Sequence, residues 1–254
     1  MSKRTDSNSY TMIFAIIMVL VVGSLLAFFA SSLKPNIDEN KRIEKQQNIL
    51  YAMGVNENDE SSANFVSTDI AGTEFTKYIT KQLIIQGNKI TEDNKAYLIE
   101  VKKEQTLAKQ GKKRRLPLFI GEKDGKTFYV APIRGKGLWD AIWGYVAMDK
   151  NMIVQGAYFD HKGETAGLGA EITQKWFQDR FTGEKIFNND GELVGISVSK
   201  TNNDPNGMDK DDHEVDAISG ATITGDGVTD MIKERLQNYL SYFNNKNEII
   251  AYQN

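Results

Sequence analysis

The longest apolar run of the chain lies near its N-terminus. Residues 7–33 carry no charge, and Met12–Ala30 is almost purely apolar. At about 1.5 Å per residue, roughly 19–22 helical residues cross a hydrocarbon core of about 30 Å. A signal peptide is the rival interpretation, because Lys3 and Arg4 give a basic start, but its apolar core is normally only about 7–15 residues long. The pattern therefore predicts a retained, single-pass transmembrane helix.

Helical spacing of apolar residues continues beyond this span. Asn36–Met53 places its apolar residues on one helical face and stops at Gly54, a residue typical of a helix C-cap. Asn56–Ser62 is polar and acidic, as in a linker, and Lys102–Arg115 is a charged connector. Thr73–Ile84 also has helical spacing. We therefore divide the chain into an N-terminus with an anchor (1–35), a helical stalk and linker (36–62) and a folded domain (63–254).

In the second half of the chain, short runs of alternating apolar and polar residues are bounded by turn residues, which is the pattern of β-strands. Two hairpins are predicted, with an Asp-Gly turn at 124–125 and a second turn at 149–151. Helices are predicted at Glu171–Phe181 and from an N-cap at Asp226 to about Asn244. The predicted strands are Leu116–Gly121, Thr127–Ile133, Ala141–Met148, Met152–Phe159 and Leu193–Val198. This order indicates an α+β fold with a mainly antiparallel sheet.

The composition argues against several functions. Lys and Arg number 31 against 34 Asp and Glu, a net charge of −3, and no basic stripe is interleaved with aromatic residues. A nucleic-acid surface is therefore not expected. Because the chain has no cysteine, it supplies neither thiolate ligands for a metal cluster nor a disulfide. The one dense basic run, Lys112–Arg115, is interpreted as a solvated loop.

Two patterns imitate other sites. Asn202–Glu214 resembles an EF-hand loop, but its twelfth position would be His213, with Glu214 one residue late. A solvated acidic loop is expected there, and no metal site is predicted. The chain has 2 histidines, and neither gives a Ser-His-Asp order, so a hydrolase triad is not expected.

A hydroxyl-rich turn occupies residues 216–224, Asp-Ala-Ile-Ser-Gly-Ala-Thr-Ile-Thr. Gly220 lets the backbone take a positive φ or approach a bulky group. Successive backbone N–H groups at such a turn bind anionic oxygens, phosphate above all. The structural alternative is a strand that ends in a serine–threonine turn capping the next helix.

Two glycine-containing blocks precede this turn. His161–Gly169 offers glycines for close backbone approach, Leu168 as an apolar platform, and Glu164 and Thr165 for polar contacts. The structural alternative is a glycine-rich loop from a strand to a helix. Gly135–Gly144 contains Gly-Lys-Gly but lacks the P-loop spacing. Its two tryptophans are candidates for either the core or a site.

These blocks resemble those of a flavoprotein family. The 216–224 string is similar to the flavinylation motif, whose last threonine, here Thr224, carries FMN through a phosphoester after a flavin transferase moves the FMN half of FAD onto it. Glu164–Gly169 resembles the family's flavin-binding loop, with Ala166 where proline is usual and one extra residue after His161. The Pro-Ile-Arg-Gly-Lys-Gly-Leu-Trp string resembles the C-type subunit of the sodium-translocating NADH:quinone oxidoreductase in particular.

The resemblance covers Met12 to about Asn244 and implies a membrane-anchored subunit that relays electrons in a sodium-pumping NADH:ubiquinone oxidoreductase. It implies partner subunits of the B, D and E type, an FMN-binding region at about 127–244, and a bacterial inner membrane location with the domain facing the periplasm. No catalytic residue and no complete activity are expected of the chain alone. The implied FMN contacts are Ser219, Gly220, Ala221, Thr222, Glu164, Thr165, Gly167, Leu168, Gly169, Leu138 and Trp139.

Two alternatives stay open at this point. The G-type subunit of the Rnf ferredoxin:NAD complex shares the flavin chemistry but lacks the full Gly-Lys-Gly-Leu-Trp string. A flavin-free, membrane-anchored binding or scaffold module is the alternative from another class, and it predicts no flavin fluorescence.

Overall fold

The computed structural model describes residues 7–59, 62–205 and 207–243, and the chain divides into two compact units, 1–43 and 44–254. The helices are α1 (Asn8–Ala52), α2 (Thr68–Tyr78), α3 (Val101–Lys109), α4 (Lys175–Gln178) and α5 (Thr222–Leu236). The strands are β1 (Ile79–Gln86), β2 (Lys89–Glu92), β3 (Leu116–Lys123), β4 (Lys126–Lys136), β5 (Ala141–Met148), β6 (Val154–His161), β7 (Ser197–Val198) and β8 (Glu214–Val215). Short 3-10 turns occupy Ala96–Leu98, Gly169–Thr173, Asp179–Phe181 and Gln237–Tyr239.

The described part of the first unit is helical and belongs to α1. Its apolar side chains are exposed, as Leu20 and Phe28 are at 63% and 66%. Among the described residues, α1 is the one helix long and apolar enough to cross a membrane, by length and composition. Helix α1 includes Pro35, and Gly54 follows it with a φ of 71°, as predicted for a C-cap.

The second unit contains a six-stranded sheet in the order β2-β1-β3-β4-β5-β6 and a two-stranded sheet of β7 and β8. Every neighbouring pair in the six-stranded sheet is antiparallel, which confirms the predicted α+β fold with a mainly antiparallel sheet. The turn between β3 and β4 places Asp124 and Gly125 at φ 51° and 74°, the left-handed values that a tight hairpin needs. β4 extends to Lys136 and β6 to His161, beyond the predicted ends.

Two predictions for the part of the chain before β3 needed correction. Thr73–Ile84 was predicted as a helix, but α2 ends at Tyr78 and Ile79 begins β1. The apolar residues of β1 are buried, and its backbone pairs with both β2 and β3. This tertiary pairing overrides the helical spacing. The charged connector Lys102–Arg115 contains α3, whose buried Glu104 accepts hydrogen bonds from the Arg115 guanidinium.

Three later predictions also needed correction. Glu171–Phe181 is not one helix but two 3-10 turns around α4, with Phe177 and Phe181 buried and Trp176 exposed. Within Leu193–Val198 only Ser197 and Val198 form a strand, which pairs in parallel with β8. The last helix begins at Thr222, so Asp226 lies inside it. Its predicted end at Asn244 lies outside the described residues.

Helix α5 packs against β4 at close range. A Cβ at Gly227 of α5 would lie 2.3 Å from the backbone oxygen of Lys136, so only glycine permits this approach. Val228, Met231 and Ile232 of the same helix are fully or almost fully buried in the core. The N-terminus of α5 is thereby fixed beside the turn that follows β4.

Candidate functional site

Three segments that are distant in sequence converge on one cleft. They are the turn 137–140 after β4, the loop 162–169 after β6, and the segment 216–224 that leads into α5. The cavity between them has a volume of about 240 Å³. Its lining consists of Leu138, Glu164, Thr165, Leu168, Gly169, Gly220, Ala221, Thr222, Ile223 and Thr224.

Glu164 joins all three segments through its buried carboxylate. Oε1 accepts hydrogen bonds from the backbone N–H groups of Trp139 and Asp140 at 3.0 and 3.4 Å. Oε2 accepts from the N–H of Leu138 at 3.3 Å and from the hydroxyl of Thr224 at 2.6 Å. Burial opposes the charged form, but the hydrogen bonds from Thr224 and from these N–H groups prevail and lower the pKa of Glu164. The carboxylate is therefore an ionised anchor at the floor of the cleft.

Two glycines permit the close packing around this anchor. A Cβ at Gly169 would lie 2.5 Å from the Thr224 hydroxyl oxygen and 2.7 Å from Glu164 Oε2. Gly220 has a φ of 73°, and a Cβ there would lie 2.8 Å from Leu168 Cδ2. Larger residues at either position would push the loop away from α5.

The two threonines of the site differ in access to solvent. Thr222 is exposed at the first position of α5, whereas Thr224 is 1% exposed. The first intrahelical bond of α5 runs from the Gly225 N–H to the Ala221 carbonyl, so the three preceding N–H groups are not used within the helix. Such a terminus attracts anionic oxygens through its free N–H groups and the helix dipole. An anion linked to the Thr222 hydroxyl would lie at this terminus.

Exposed apolar side chains surround the polar floor. Leu138, Leu168 and Ile223 are 43%, 40% and 57% exposed although they line a cavity. Trp139, 66% exposed, donates from its indole Nε1 to the Thr165 hydroxyl at 3.2 Å. Apolar walls with a few convergent polar groups are typical of sites for flat aromatic ligands. The volume is below the roughly 300–1,000 Å³ of enclosing sites, so a flavin ring bound here would stay partly exposed.

Most of the predicted contact residues meet at this cleft. Nine of the twelve line the cavity, and Ile223, which was not predicted, lines it too. Ser219, Gly167 and Trp139 belong to the same segments but are not part of the lining. Gly167 has a φ of 76°, and its N–H donates to Glu171 Oε1 at 3.0 Å, so its role is in the shape of the loop.

Two residues that support the site were not among the predicted contacts. The N–H of Glu164 donates to Nδ1 of His161 at 3.0 Å, which fixes the start of the loop despite the extra residue between them. Arg180 Nη1 donates to the carbonyl oxygens of Asp216 and Ala217 at 2.9 and 3.3 Å. No sequence pattern indicated this contact, because it links residues 36 and 37 positions apart.

In the predicted acidic loop Asn202–Glu214, aspartate carboxylates accept hydrogen bonds from backbone N–H groups. Asp204 Oδ2 accepts from the Asp209 N–H at 2.8 Å, and the Asp204 N–H donates to Asp216 Oδ1 at 3.1 Å. Asn206, one of the residues that imitate an EF-hand, lies outside the described residues.

Comparisons with known proteins agree with this geometry. Residues 137–237 match the FMN-binding domain family. The C subunit of the Na(+)-translocating NADH-quinone reductase of Haemophilus ducreyi is 32% identical over 90% of this chain and 89% of its own, and that of Neisseria meningitidis serogroup A is 32% identical over 100% and 97%. The crystal structure of the C subunit from Parabacteroides distasonis has a TM-score of 0.69 and 32% identity over 83% of this chain and 96% of its own. The crystal structure of Shewanella oneidensis NqrC has a TM-score of 0.64 and 26% identity over 81% of this chain and 97% of its own.

The fold, the cleft and the matched domain define an FMN-binding flavoprotein that carries an N-terminal apolar helix. At 32% identity along nearly the whole of both chains, the protein belongs to the family of C subunits of the Na(+)-translocating NADH-quinone reductase, an oxidoreductase complex. The family resemblance predicted from the three sequence blocks is confirmed. FMN as the cofactor is likewise confirmed at the level of the domain family.

Proposed function

We propose that this chain holds FMN covalently and relays electrons within a sodium-translocating NADH:quinone oxidoreductase. The observation that carries the proposal is the convergence of an exposed threonine, a helix N-terminus and exposed apolar side chains on one cleft of about 240 Å³. The helix terminus suits the phosphate of FMN, and the apolar walls suit its ring. FMN, when bound, supplies the redox chemistry, and the chain supplies attachment and orientation.

A covalent bond is useful at an open site. A ring that stays partly exposed is weakly retained by contacts alone, and a phosphoester retains it without altering the redox-active ring. In the transfer, the threonine oxygen forms a bond to the FMN phosphorus of FAD, the anhydride bond to AMP breaks, and the hydroxyl proton leaves. The proposed catalyst of this step is a flavin transferase, which has to reach the hydroxyl.

The geometry favours Thr222 as the acceptor. Thr224, the acceptor predicted from the sequence, is buried, and its hydroxyl donates to Glu164 Oε2 at 2.6 Å. Transfer to it would require this bond to open, whereas Thr222 is an exposed residue that lines the same cavity. We therefore propose that Thr222 carries the FMN and that Thr224 holds Glu164 in place, with Thr224 as the competing candidate.

The membrane setting completes the proposal. Helix α1 anchors the chain in the bacterial inner membrane as a single span, residues 1–35 include the cytoplasmic N-terminus, and 63–254 form the periplasmic domain. Subunits of the B, D and E type are the proposed partners, with an iron–sulfur centre as electron donor and the FMN of the B-type subunit as acceptor. The matched relatives are C subunits of the sodium-translocating enzyme, which gives no support to the Rnf-type alternative.

In-gel flavin fluorescence of the full-length chain from native membranes tests the proposal. Fluorescence that survives denaturation is expected, and it should disappear in Thr222→Val. A colourless, non-fluorescent chain isolated from cells that contain the transferase would instead support the flavin-free scaffold.

A further inference from the structure

A second and larger cavity lies next to the flavin cleft, between α3, the end of β4 and α5. Its volume is about 850 Å³. We call it the basic cleft, after its cationic lining residues Lys102, Lys109, Arg114, Arg134, Lys136 and Arg235.

The positive charge of the basic cleft is largely uncompensated. Its two carboxylates already have partners, because Asp140 pairs with Lys162 at 2.7 Å and Glu234 pairs with Arg235 at 2.9 Å. Within the part of the chain that the structure describes, the other five cations form no ion pair. A chain with a net charge of −3 thus concentrates unpaired positive charge at one site. Such a concentration attracts anionic partners over distances of about a Debye length.

The fold retains two of these cations at a cost. Arg114 and Arg134 are partly buried, and burial lowers the pKa of both guanidinium groups; Arg235 adds to the effect on Arg114, whereas Asp140 opposes it at Arg134. A cation that is partly removed from water without an ion-pair partner is destabilising. An anion supplied from outside the chain would remove that penalty.

The backbone of the basic cleft is fixed before any ligand arrives. The carbonyl oxygen of Arg134 accepts from Gln105 Nε2 at 2.9 Å and from Arg235 Nε at 3.0 Å. Helices α3 and α5 are both tied to β4 by these bonds. A preformed cleft binds with less loss of conformational freedom than one that must be assembled.

Trp139 connects the basic cleft to the flavin cleft. It lines the basic cleft, while its backbone N–H donates to Glu164, the anchor of the flavin cleft, and its indole Nε1 donates to Thr165 of the same cleft. The preceding residue, Leu138, lines the flavin cleft itself. A partner seated in the basic cleft would therefore lie beside the flavin.

We propose that the basic cleft docks an acidic segment of another subunit of the complex and so sets the position of an electron-transfer partner relative to the flavin. The proposal rests on the proposed function, because an electron relay needs a protein partner beside the flavin. Aspartate and glutamate side chains match the forked donors of the arginines and the exposed lysine ammonium groups. An anionic lipid headgroup is the competing occupant that the experiment has to separate.

Zero-length carbodiimide cross-linking of the complex in native membranes tests the proposal, because it joins lysine amines to carboxylates in direct contact. Lys102, Lys109 or Lys136 should become linked to an Asp- or Glu-rich peptide of another subunit, with a yield that falls about 10-fold from low to high salt. Arg114→Glu should lower this yield by a similar factor. Lys113→Glu is the matched control: it makes the same charge change one residue away, in the same basic run, but does not line the cleft.

Acetylation of the lysines identifies the occupant. In the delipidated complex the three cleft lysines should remain protected relative to Lys112 and Lys113, and the protection should vanish in the isolated full-length chain. Protection that disappears with the lipid, or cross-links that form only within this chain, would overturn the proposal. In-gel flavin fluorescence of the same samples tests the proposed function separately. Arg114 does not line the flavin cleft, so Arg114→Glu should keep the fluorescence even where it lowers the cross-linking yield.

Discussion

The hydroxyl of Thr224 donates a 2.6 Å hydrogen bond to Oε2 of Glu164, and the two residues are 60 positions apart in the chain. Both are buried, and the bond joins the first turn of α5 to the loop after β6. The same carboxylate also holds the backbone of the 138–140 turn. One side chain thus fixes the relative positions of all three segments of the flavin cleft.

Glu164→Gln is expected to destabilise the domain by about 1–3 kcal/mol, because the amide group replaces one acceptor oxygen by a donor that faces other donors. Chemical denaturation of the full-length chain in detergent measures the change. Glu171→Gln is the control, since Glu171 lies in the same region and accepts one hydrogen bond from Gly167. Glu171→Gln is expected to lower the free energy of unfolding by less than about 1 kcal/mol. Equal effects of the two substitutions would contradict the anchoring role of Glu164.

The pH dependence of this effect has a definite sign. Because the pKa of Glu164 is lowered in the folded state, its stabilisation is present above the pKa of an unfolded glutamate, about 4.3. It is lost as the pH falls through the lower folded pKa. The difference in unfolding free energy between wild type and Glu164→Gln should therefore be constant near neutral pH and shrink below about pH 4.

The sequence predicted most of the sheet and of the cleft because their signals are local. The Asp124-Gly125 turn has the positive φ values its residues favour, and the three glycine-containing blocks contain all ten cavity-lining residues, nine of which were predicted as contacts. Ile79–Gln86 could not be predicted as a strand, since its pairing with β2 and β3 is non-local. The burial of Thr224 and the contact of Arg180 with the 216–217 carbonyls likewise depend on tertiary packing.

The identity of the acceptor threonine is a separate prediction. Fragmentation of the flavin peptide by mass spectrometry should place an FMN-sized addition on Thr222 and show none in Thr222→Val. Thr224→Val should retain the adduct but lose about 1–3 kcal/mol of stability, because the Glu164 carboxylate loses a buried donor. Ser219→Ala is the control and should keep both the adduct and the stability. An adduct mapped to Thr224 would restore the acceptor predicted from the sequence.

Leu168→Ala is expected to leave the covalent bond intact and to change the environment of the flavin. Loss of the apolar side chain admits water beside the ring, which favours its more charged reduced forms and raises the redox potential. Trp139→Leu should act in the same direction. Absorbance spectra and potentiometric titration measure both effects. Ile90→Ala, an exposed aliphatic substitution on β2, is the control, and an unchanged flavin spectrum in all three variants would assign Leu168 and Trp139 a structural role alone.

Glu184 gives the domain a second pH-dependent element. Its carboxyl is fully buried, and burial raises its pKa to about 7, although Lys210 lies 3.0 Å away and opposes the shift. Because the pKa of Glu184 is higher in the folded than in the unfolded state, the protonated carboxyl stabilises the domain. This contribution is fully present below the pKa of an unfolded glutamate, about 4.3, and is lost as the pH rises toward 7. Unfolding free energies between pH 5 and 7 should fall by as much as ~3 kcal/mol and lose most of this slope in Glu184→Gln. The same slope in the variant would show that another group titrates.

Membrane attachment supplies the last prediction. In water, the exposed apolar surface of Met12–Ala30 would be strongly unfavourable, at about 25 cal/mol per Å², whereas a bilayer removes this penalty. A retained span should keep the chain in the membrane fraction after alkaline carbonate washing, which releases proteins held by surface charge alone. Mass spectrometry of the mature chain should recover peptides from before Met12. A chain released by carbonate, or a mature N-terminus near Leu33, would show that the apolar segment is a cleaved signal peptide rather than an anchor.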